Sequence, residues 1–304
     1  MDPTFLDVDG TMWFGDRYFT GGAPFSQTGS QILRTFDQEL YQTSRQGNFA
    51  YAIPLPQGVY ELHLHFAEVF YAPSVGADTQ RRFDVAINGA PLMVGFDIAK
   101  DAGGVSIADE KIFKNVSPAK DGFLHLDFSS TRSQALLSGI EVLPGLAGKM
   151  LPVRIICSSH PGLDREGRLW KADRYFSGGR IAELPEPIQG PSFGGFSSYR
   201  TGNFNYAIPV AGGDYQIMLV FAEPVHGHGA LAAEGKGLRV FDVYCNGRTL
   251  MSGLDIFKEA GGAYRVIYKS FRHVKPDAQG KILLSFVPVV DYAVLLAIEV
   301  QEEP

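Results

Sequence analysis

Asp16-Arg17-Tyr18-Phe19-Thr20-Gly21-Gly22 returns, with one conservative change, as Asp173-Arg174-Tyr175-Phe176-Ser177-Gly178-Gly179. Outward from this pair the echo continues in order. Trp13 recurs as Trp170, and these are the only two tryptophans of the 304-residue chain. Asn48-Phe49-Ala50-Tyr51-Ala52-Ile53-Pro54 recurs as Asn203-Phe204-Asn205-Tyr206-Ala207-Ile208-Pro209, and Phe66-Ala67-Glu68 as Phe221-Ala222-Glu223. Phe83-Asp84-Val85, Asn88-Gly89, Asp97-Ile98 and Ala102-Gly103-Gly104 come back as Phe241-Asp242-Val243, Asn246-Gly247, Asp255-Ile256 and Ala260-Gly261-Gly262. Ile140-Glu141-Val142 closes the first copy and Ile298-Glu299-Val300 the second. A period this long marks a duplicated domain and not a solenoid. The expected domains are residues 1–147 and 148–304, joined at the Pro/Gly stretch Pro144-Gly145-Leu146-Ala147-Gly148-Lys149.

Each copy reads as strands. Tyr60-Glu61-Leu62-His63-Leu64-His65-Phe66 alternates apolar and polar residues, the period of a strand buried on one face. That pattern predicts His63 and His65 on a solvated face. Tyr215 to Phe221 keeps the aromatic ends but is more apolar, which predicts cover on both faces. Arg82 to Ile87 alternates and ends in Asn88-Gly89, a hairpin signal because both residues tolerate φ > 0. No segment reads as an amphipathic helix beyond a turn or two. Many short strands between turn signals predict an all-β protein of two tandem jelly-roll-like β-sandwiches. The glycine pairs Gly21-Gly22 and Gly103-Gly104 are expected in turns. The second copy opens with Leu151-Pro152-Val153-Arg154-Ile155-Ile156-Cys157 before Asp164, whereas only six residues precede the equivalent Asp7, so the first copy is expected to lack its first strand.

Composition narrows the function. The net charge is −6; residues 1–147 hold 10 Lys and Arg against 17 Asp and Glu, and residues 148–304 hold 17 against 16. Neither half has the basic footprint of a nucleic-acid binder. No apolar run is long enough to insert in a membrane, and the N-terminal residues do not form a signal peptide. Two cysteines, Cys157 and Cys245, exclude a disulfide framework; they read as buried apolar fillers, with a single bridge as the alternative. Asn115-Val116-Ser117 is a glycosylation sequon, meaningful only in a secretory host.

In these residues the chain resembles the malectin family, a jelly-roll-like, galactose-binding-like carbohydrate-binding fold, twice over. The carrying pattern is aromatic-Ala-Ile-Pro, Gly-x-Tyr, Phe-Ala-Glu, Arg-x-Phe-Asp-Val, Asn-Gly, Asp-Ile, Ala-Gly-Gly and Ile-Glu-Val. The resemblance implies a glycan partner, no cofactor, and an extracytoplasmic module of a larger protein. It also implies site residues. An aromatic pair after Phe-Ala-Glu-Val grips sugar in the family, and Phe70-Tyr71 stands there in the first copy; the second has Pro224-Val225-His226. An aspartate ahead of the last strand matches Asp291 in the second copy and Ser133 in the first. An upstream family tyrosine matches Tyr18, with Phe19 and Phe25 as alternatives, while Gln46 and Thr201 replace another. The candidate carbohydrate-binding set is therefore Phe70, Tyr71, Tyr18 and Asp291, mainly in the first copy.

The chemistry fits. Aromatic faces cover the C–H side of a sugar ring, and Asp, Asn or backbone groups meet its hydroxyls. The duplicated acids Glu68/Glu223, Asp84/Asp242 and Asp97/Asp255 suggest a glycosidase, but that reaction needs two carboxylates set across a cleft. They read instead as structural, with Asp84–Arg81 and Asp242–Arg239 as local ion pairs, and the protein as non-enzymatic. His226-Gly227-His228 has no evident third metal ligand. The competing class is a structural or protein-interaction module that has lost sugar affinity.

Overall fold

The hydrophobic alternation needs a second sheet to bury it, and each half of the chain supplies one. A computed structural model describes residues 3–70, 81–227 and 235–304. The chain divides into two compact units, Met1–Leu151 and Pro152–Pro304. The first holds β1 (Pro3–Leu6), β2 (Met12–Phe14), β3 (Phe19–Ser26), α1 (Gln38–Gln42), β4 (Thr43–Pro54), β5 (Tyr60–Phe66), β6 (Arg82–Ile87), β7 (Ala90–Phe96), α2 (Ile98–Ala102), β8 (Asp109–Val116), β9 (Phe123–Arg132), β10 (Ala135–Leu137) and β11 (Gly139–Pro144). The second holds β12 (Val153–Ile156), β13 (Gly162–Leu163), β14 (Leu169–Trp170), β15 (Phe176–Ile188), β16 (Phe196–Pro209), β17 (Tyr215–Phe221), β18 (Val240–Cys245), β19 (Arg248–Leu254), α3 (Ile256–Ala260), β20 (Ile267–Val274), β21 (Lys281–Val290), β22 (Ala293–Leu295) and β23 (Ala297–Glu302). Described helices last five residues each, and none is long and apolar enough to cross a membrane.

In each unit a six-stranded antiparallel sheet faces a smaller one. The large sheets run β10-β4-β9-β6-β7 with β3 beside β4, and β15-β16-β21-β18-β19 with β22 beside β16. The small sheets run β11-β5-β8 and β12-β23-β17-β20. Leu62, Leu64 and Phe66 from one sheet pack in a single core with Phe49, Phe83, Val85, Leu126 and Phe128 from the other. Stacked rings repeat at equivalent places, Phe49 on Phe128 and Phe204 on Phe286, each at 4.6 Å. The Asn88-Gly89 and Asn246-Gly247 turns take positive φ at both residues, as a tight right-twisting hairpin requires. Asp97 and Asp255 cap α2 and α3 by accepting the N–H of Lys100 and Lys258.

Three expectations are corrected. Gly21 and Gly22 do not make a turn; they lie within β3 at a shift in its register with β4, and Gly178 and Gly179 repeat the bulge. Both of the first pair have φ near +70, and a Cβ on Gly21 would stand 2.7 Å from the Asn48 carbonyl oxygen. Second, His63 and His65 are buried. The outward face of β5 is covered: Trp13 meets the His65 ring edge-on at 5.3 Å and the Tyr41 hydroxyl lies 3.1 Å from its Nδ1. Alternation therefore marks the polar face of this strand but not a wet one. Third, Arg81 and Arg239 turn away from Asp84 and Asp242. Those aspartates accept the N–H groups of Gly95 and Gly253 across their hairpins, while the arginines pair with Glu68 and Glu223.

The small sheets differ at one edge. β12 pairs with β23, and Arg154 on it reaches Glu299 at 2.6 Å. Among the described residues no strand lies on the equivalent edge of β11. Ile298 and Val300 are fully buried, whereas their counterparts Ile140 and Val142 are half-buried. Residues 145–151 pack with the first unit: Met150 is buried and the Leu151 N–H donates to Glu61. Cys157 and Cys245 are free and buried. Burial pushes the thiol of Cys157 far up and that of Cys245 to about 11, so both remain unreactive thiols.

Candidate functional site

At the C-terminal end of β5 the chain must leave the sheet, and Glu68 fixes how. Its carboxylate, 1% exposed, accepts the Phe70 N–H at 3.0 Å with Oε1 and the Arg81 Nε at 2.7 Å with Oε2. Arg81 Nη1 donates onward to the Gln134 carbonyl at 2.5 Å, tying the segment before β10 to the same post. The second unit repeats the device. Glu223 accepts from Val225, His226 and Arg239, and Arg239 donates to the Tyr292 carbonyl. Both glutamates anchor loops, which gives each copy a structural reason to keep its own.

This anchor presents Phe70. The ring is 63% exposed and meets Phe25, at the far end of β3, edge-on with 6.4 Å between centroids. An exposed ring held against a second ring is a platform suited to the C–H face of a ligand. Tyr71 lies outside the described residues. Tyr18 is not brought to this place. It precedes β3 while Phe25 ends it, a separation of roughly 20 Å at about 3.3 Å per strand residue. Its left-handed backbone is shared with Tyr175, and the carbonyls of both accept strand N–H groups, from Ala52 and Ala207. Nearby, Asp16 joins Arg45 and Tyr51, as Asp173 joins Arg200 and Tyr206, so the most obvious repeated motif is a scaffold.

The equivalent end of the second unit has different chemistry. Val225 stands in place of Phe70 and is exposed. Asp291, at a left-handed backbone position, takes a 2.7 Å contact from His226 Nε2 and a 3.1 Å contact from Arg239 Nη2. Burial works against its charge, but the His226 hydrogen bond, the Tyr292 N–H and the Arg239 charge outweigh it and hold the carboxyl below its ordinary range. Tyr199, in β16, feels the charges of Arg239, Glu223, Arg180 and Asp291, and burial raises its hydroxyl pKa. Burial raises the hydroxyl pKa of Tyr264 as well. These tyrosines escaped the sequence argument because their first-copy counterparts are Ser44 and Ser106, which leaves no duplicated aromatic to follow.

The Malectin domain model matches residues 2–142 and again 153–282. The chain belongs to the malectin family. Malectin-A of Xenopus laevis is 39% identical over 87 residues, covering 28% of this chain and 30% of that protein. Receptor-like protein 4 of Arabidopsis thaliana is 27% identical over 299 residues, 84% of this chain and 45% of that protein. The chain thus spans less than half the length of either relative. Among solved structures, the ANXUR2 extracellular domain from Arabidopsis thaliana aligns over 100% of this chain and 95% of its own, at 19% identity and a TM-score of 0.46. The all-β fold and the tandem arrangement of two malectin domains agree with the sequence expectation. Of the residues implied by the resemblance, the described structure places Phe70 at the loop after β5 in the first domain and Asp291 beside the corresponding loop of the second.

Proposed function

We propose that this tandem malectin module binds carbohydrate without catalysis, principally through the first domain, as part of a larger extracytoplasmic protein. The observation that carries the proposal is the Phe70 ring, 63% exposed beside Phe25 and fixed by the buried Glu68–Arg81 pair. Loops on a rigid sandwich are usual binding places, and here the buried anchor fixes the loop that carries the ring. A sugar would lay a C–H face on Phe70 while nearby backbone and polar groups meet its hydroxyls. The Receptor-like protein 4 match agrees with an extracytoplasmic setting. In the second domain Asp291 offers a held carboxylate with Tyr199 nearby, but His226 and Arg239 already engage its Oδ2.

That last observation favours a second reading for the second domain, a structural or protein-contact role. Screening the whole chain on a glycan array, then titrating a hit against Phe70→Ala and Asp291→Ala, separates the two. Loss on Phe70→Ala alone supports the proposal; loss on Asp291→Ala alone moves the site to the second domain.

A further inference from the structure

The covered outer face of the small sheet in the first domain holds chemistry that the candidate glycan site does not use. β11 sets Glu141 opposite His63 of β5, and β8 sets Glu110 opposite His65, on the diagonal from His63; Glu61 lies two residues before His63 on the same face. His63 Nδ1 lies 2.5 Å from Glu110 Oε1 and 3.9 Å from Glu141 Oε2. Its Nε2 lies 2.8 Å from Glu61 Oε1, and the other Glu61 oxygen accepts the Leu151 N–H at 2.7 Å. His63, Glu110 and Glu61 are buried, while Glu141 is half-buried.

The duplication provides an internal control. At the equivalent sheet positions the second domain has Gln216, Met218 and Tyr268, and it keeps only the acid, Glu299. That acid is neutralised by Arg154 at 2.6 Å. The same strands therefore close with neutral side chains, and the sandwich does not require the His/Glu cluster. Burying carboxylates carries a desolvation penalty that such neutral residues avoid. Among the described residues the sole ion-pair contact of Glu141 is the 3.9 Å approach to His63, beyond hydrogen-bond reach.

The geometry points to a divalent metal site of the zinc class in the first domain, with His63 Nδ1, Glu110 and Glu141 as ligands. Two features beyond the acidity of the cluster support it. One nitrogen of the imidazole faces two carboxylates, and the other is oriented by a third carboxylate that is itself anchored to the backbone; this is the carboxylate–histidine–metal arrangement. The three ligand atoms all lie within 4.8 Å of one another. Tetrahedral zinc bonds of about 2.0–2.2 Å place ligand atoms roughly 3.3 Å apart. Glu110 would draw back slightly and Glu141 swing in, on the less buried side by which an ion would enter. The ion displaces the proton between Nδ1 and Glu110, so binding releases it to solvent. One imidazole and two carboxylates leave a fourth position for water.

The test uses the full chain, stripped with EDTA and dialysed. Calorimetric titration with zinc chloride is expected to show one tight ion per chain. Cobalt substitution is expected to give the visible d–d bands of a tetrahedral site. Glu141→Gln, which removes a ligand that makes no hydrogen bond to His63, is expected to weaken zinc affinity at least tenfold and to abolish the cobalt bands. His63→Met, which imports the residue of the second domain, is expected to do the same. Should His63→Met fail to fold, Glu141→Gln decides alone. Absence of zinc uptake overturns the proposal. So does uptake that survives Glu141→Gln, which would place the ion elsewhere, for example on His226.

Discussion

Arg81→Met tests the anchor that presents the candidate site. The substitution keeps apolar bulk but removes the guanidinium from a pair in which Glu68 is 1% and Arg81 2% exposed. Glu68 is left with a buried charge and the Phe70 N–H among its remaining partners, and the Gln134 carbonyl loses its donor. Breaking a buried pair by deleting one partner destabilises by about 3–5 kcal/mol, whereas a solvent-exposed pair is worth about 1 kcal/mol or less. Against a typical domain stability of about 5–15 kcal/mol this is a large fraction. Adding Glu68→Gln removes the stranded charge while keeping an acceptor for Phe70, so the double variant is expected to recover half the loss or more. Hydrogen exchange along a urea titration reads the two domains separately. Protection in β5 and β9 is expected to fall, and that in β17 and β21 to stay. A loss below about 1 kcal/mol in β5 and β9, or an equal loss in both domains, refutes the argument.

Two further outcomes follow from the same contacts. Burial opposes charge on His63, but Glu110, Glu61 and Glu141 outweigh it and raise its pKa from 6.5 to about 9. The raised pKa stabilises the metal-free fold fully below pH 6.5, and this contribution, up to about 3 kcal/mol, fades as pH rises through 9; unfolding midpoints in EDTA should fall over that window and the fall should flatten in His63→Met, while parallel pH profiles would sink the assignment. Residues 152–304 are expected to express alone as a more soluble and more cooperatively melting domain than residues 1–151, because β12 completes the sheet edge that β11 leaves open among the described residues; equal behaviour of the two pieces would count against it.

The duplicated motifs made the fold legible, because each repeated cluster marks a strand end, a turn or a cap that the same sandwich needs twice. Asp97/Asp255 and Asn88-Gly89/Asn246-Gly247 have local jobs, and local jobs show in short sequence. Partners separated along the chain did not show. Arg81 reaches back to Glu68 and not to the adjacent Asp84, because a strand alternates its side chains and the loop turns the arginine inward. The burial of His63 was hidden for a related reason: period-2 alternation reports polarity, while the cover over that face comes from other segments. The candidate site was half legible. Phe70 follows directly from its motif, but choosing Phe25 over Tyr18 as its neighbour requires knowing which end of β3 lies beside the loop. Tyr199 and Tyr264 have no duplicate to flag them.

The central claim, glycan binding seated on the first domain, rests most directly on one titration. The whole chain is titrated with its best array ligand, and the affinity is compared with that of Phe70→Ala. Removing one stacking ring withdraws about 0.5–1.5 kcal/mol beyond lost area, so a several-fold to tenfold or greater weakening is expected, with Asp291→Ala changing little. An unchanged affinity in Phe70→Ala, together with binding abolished in Asp291→Ala, would contradict the account.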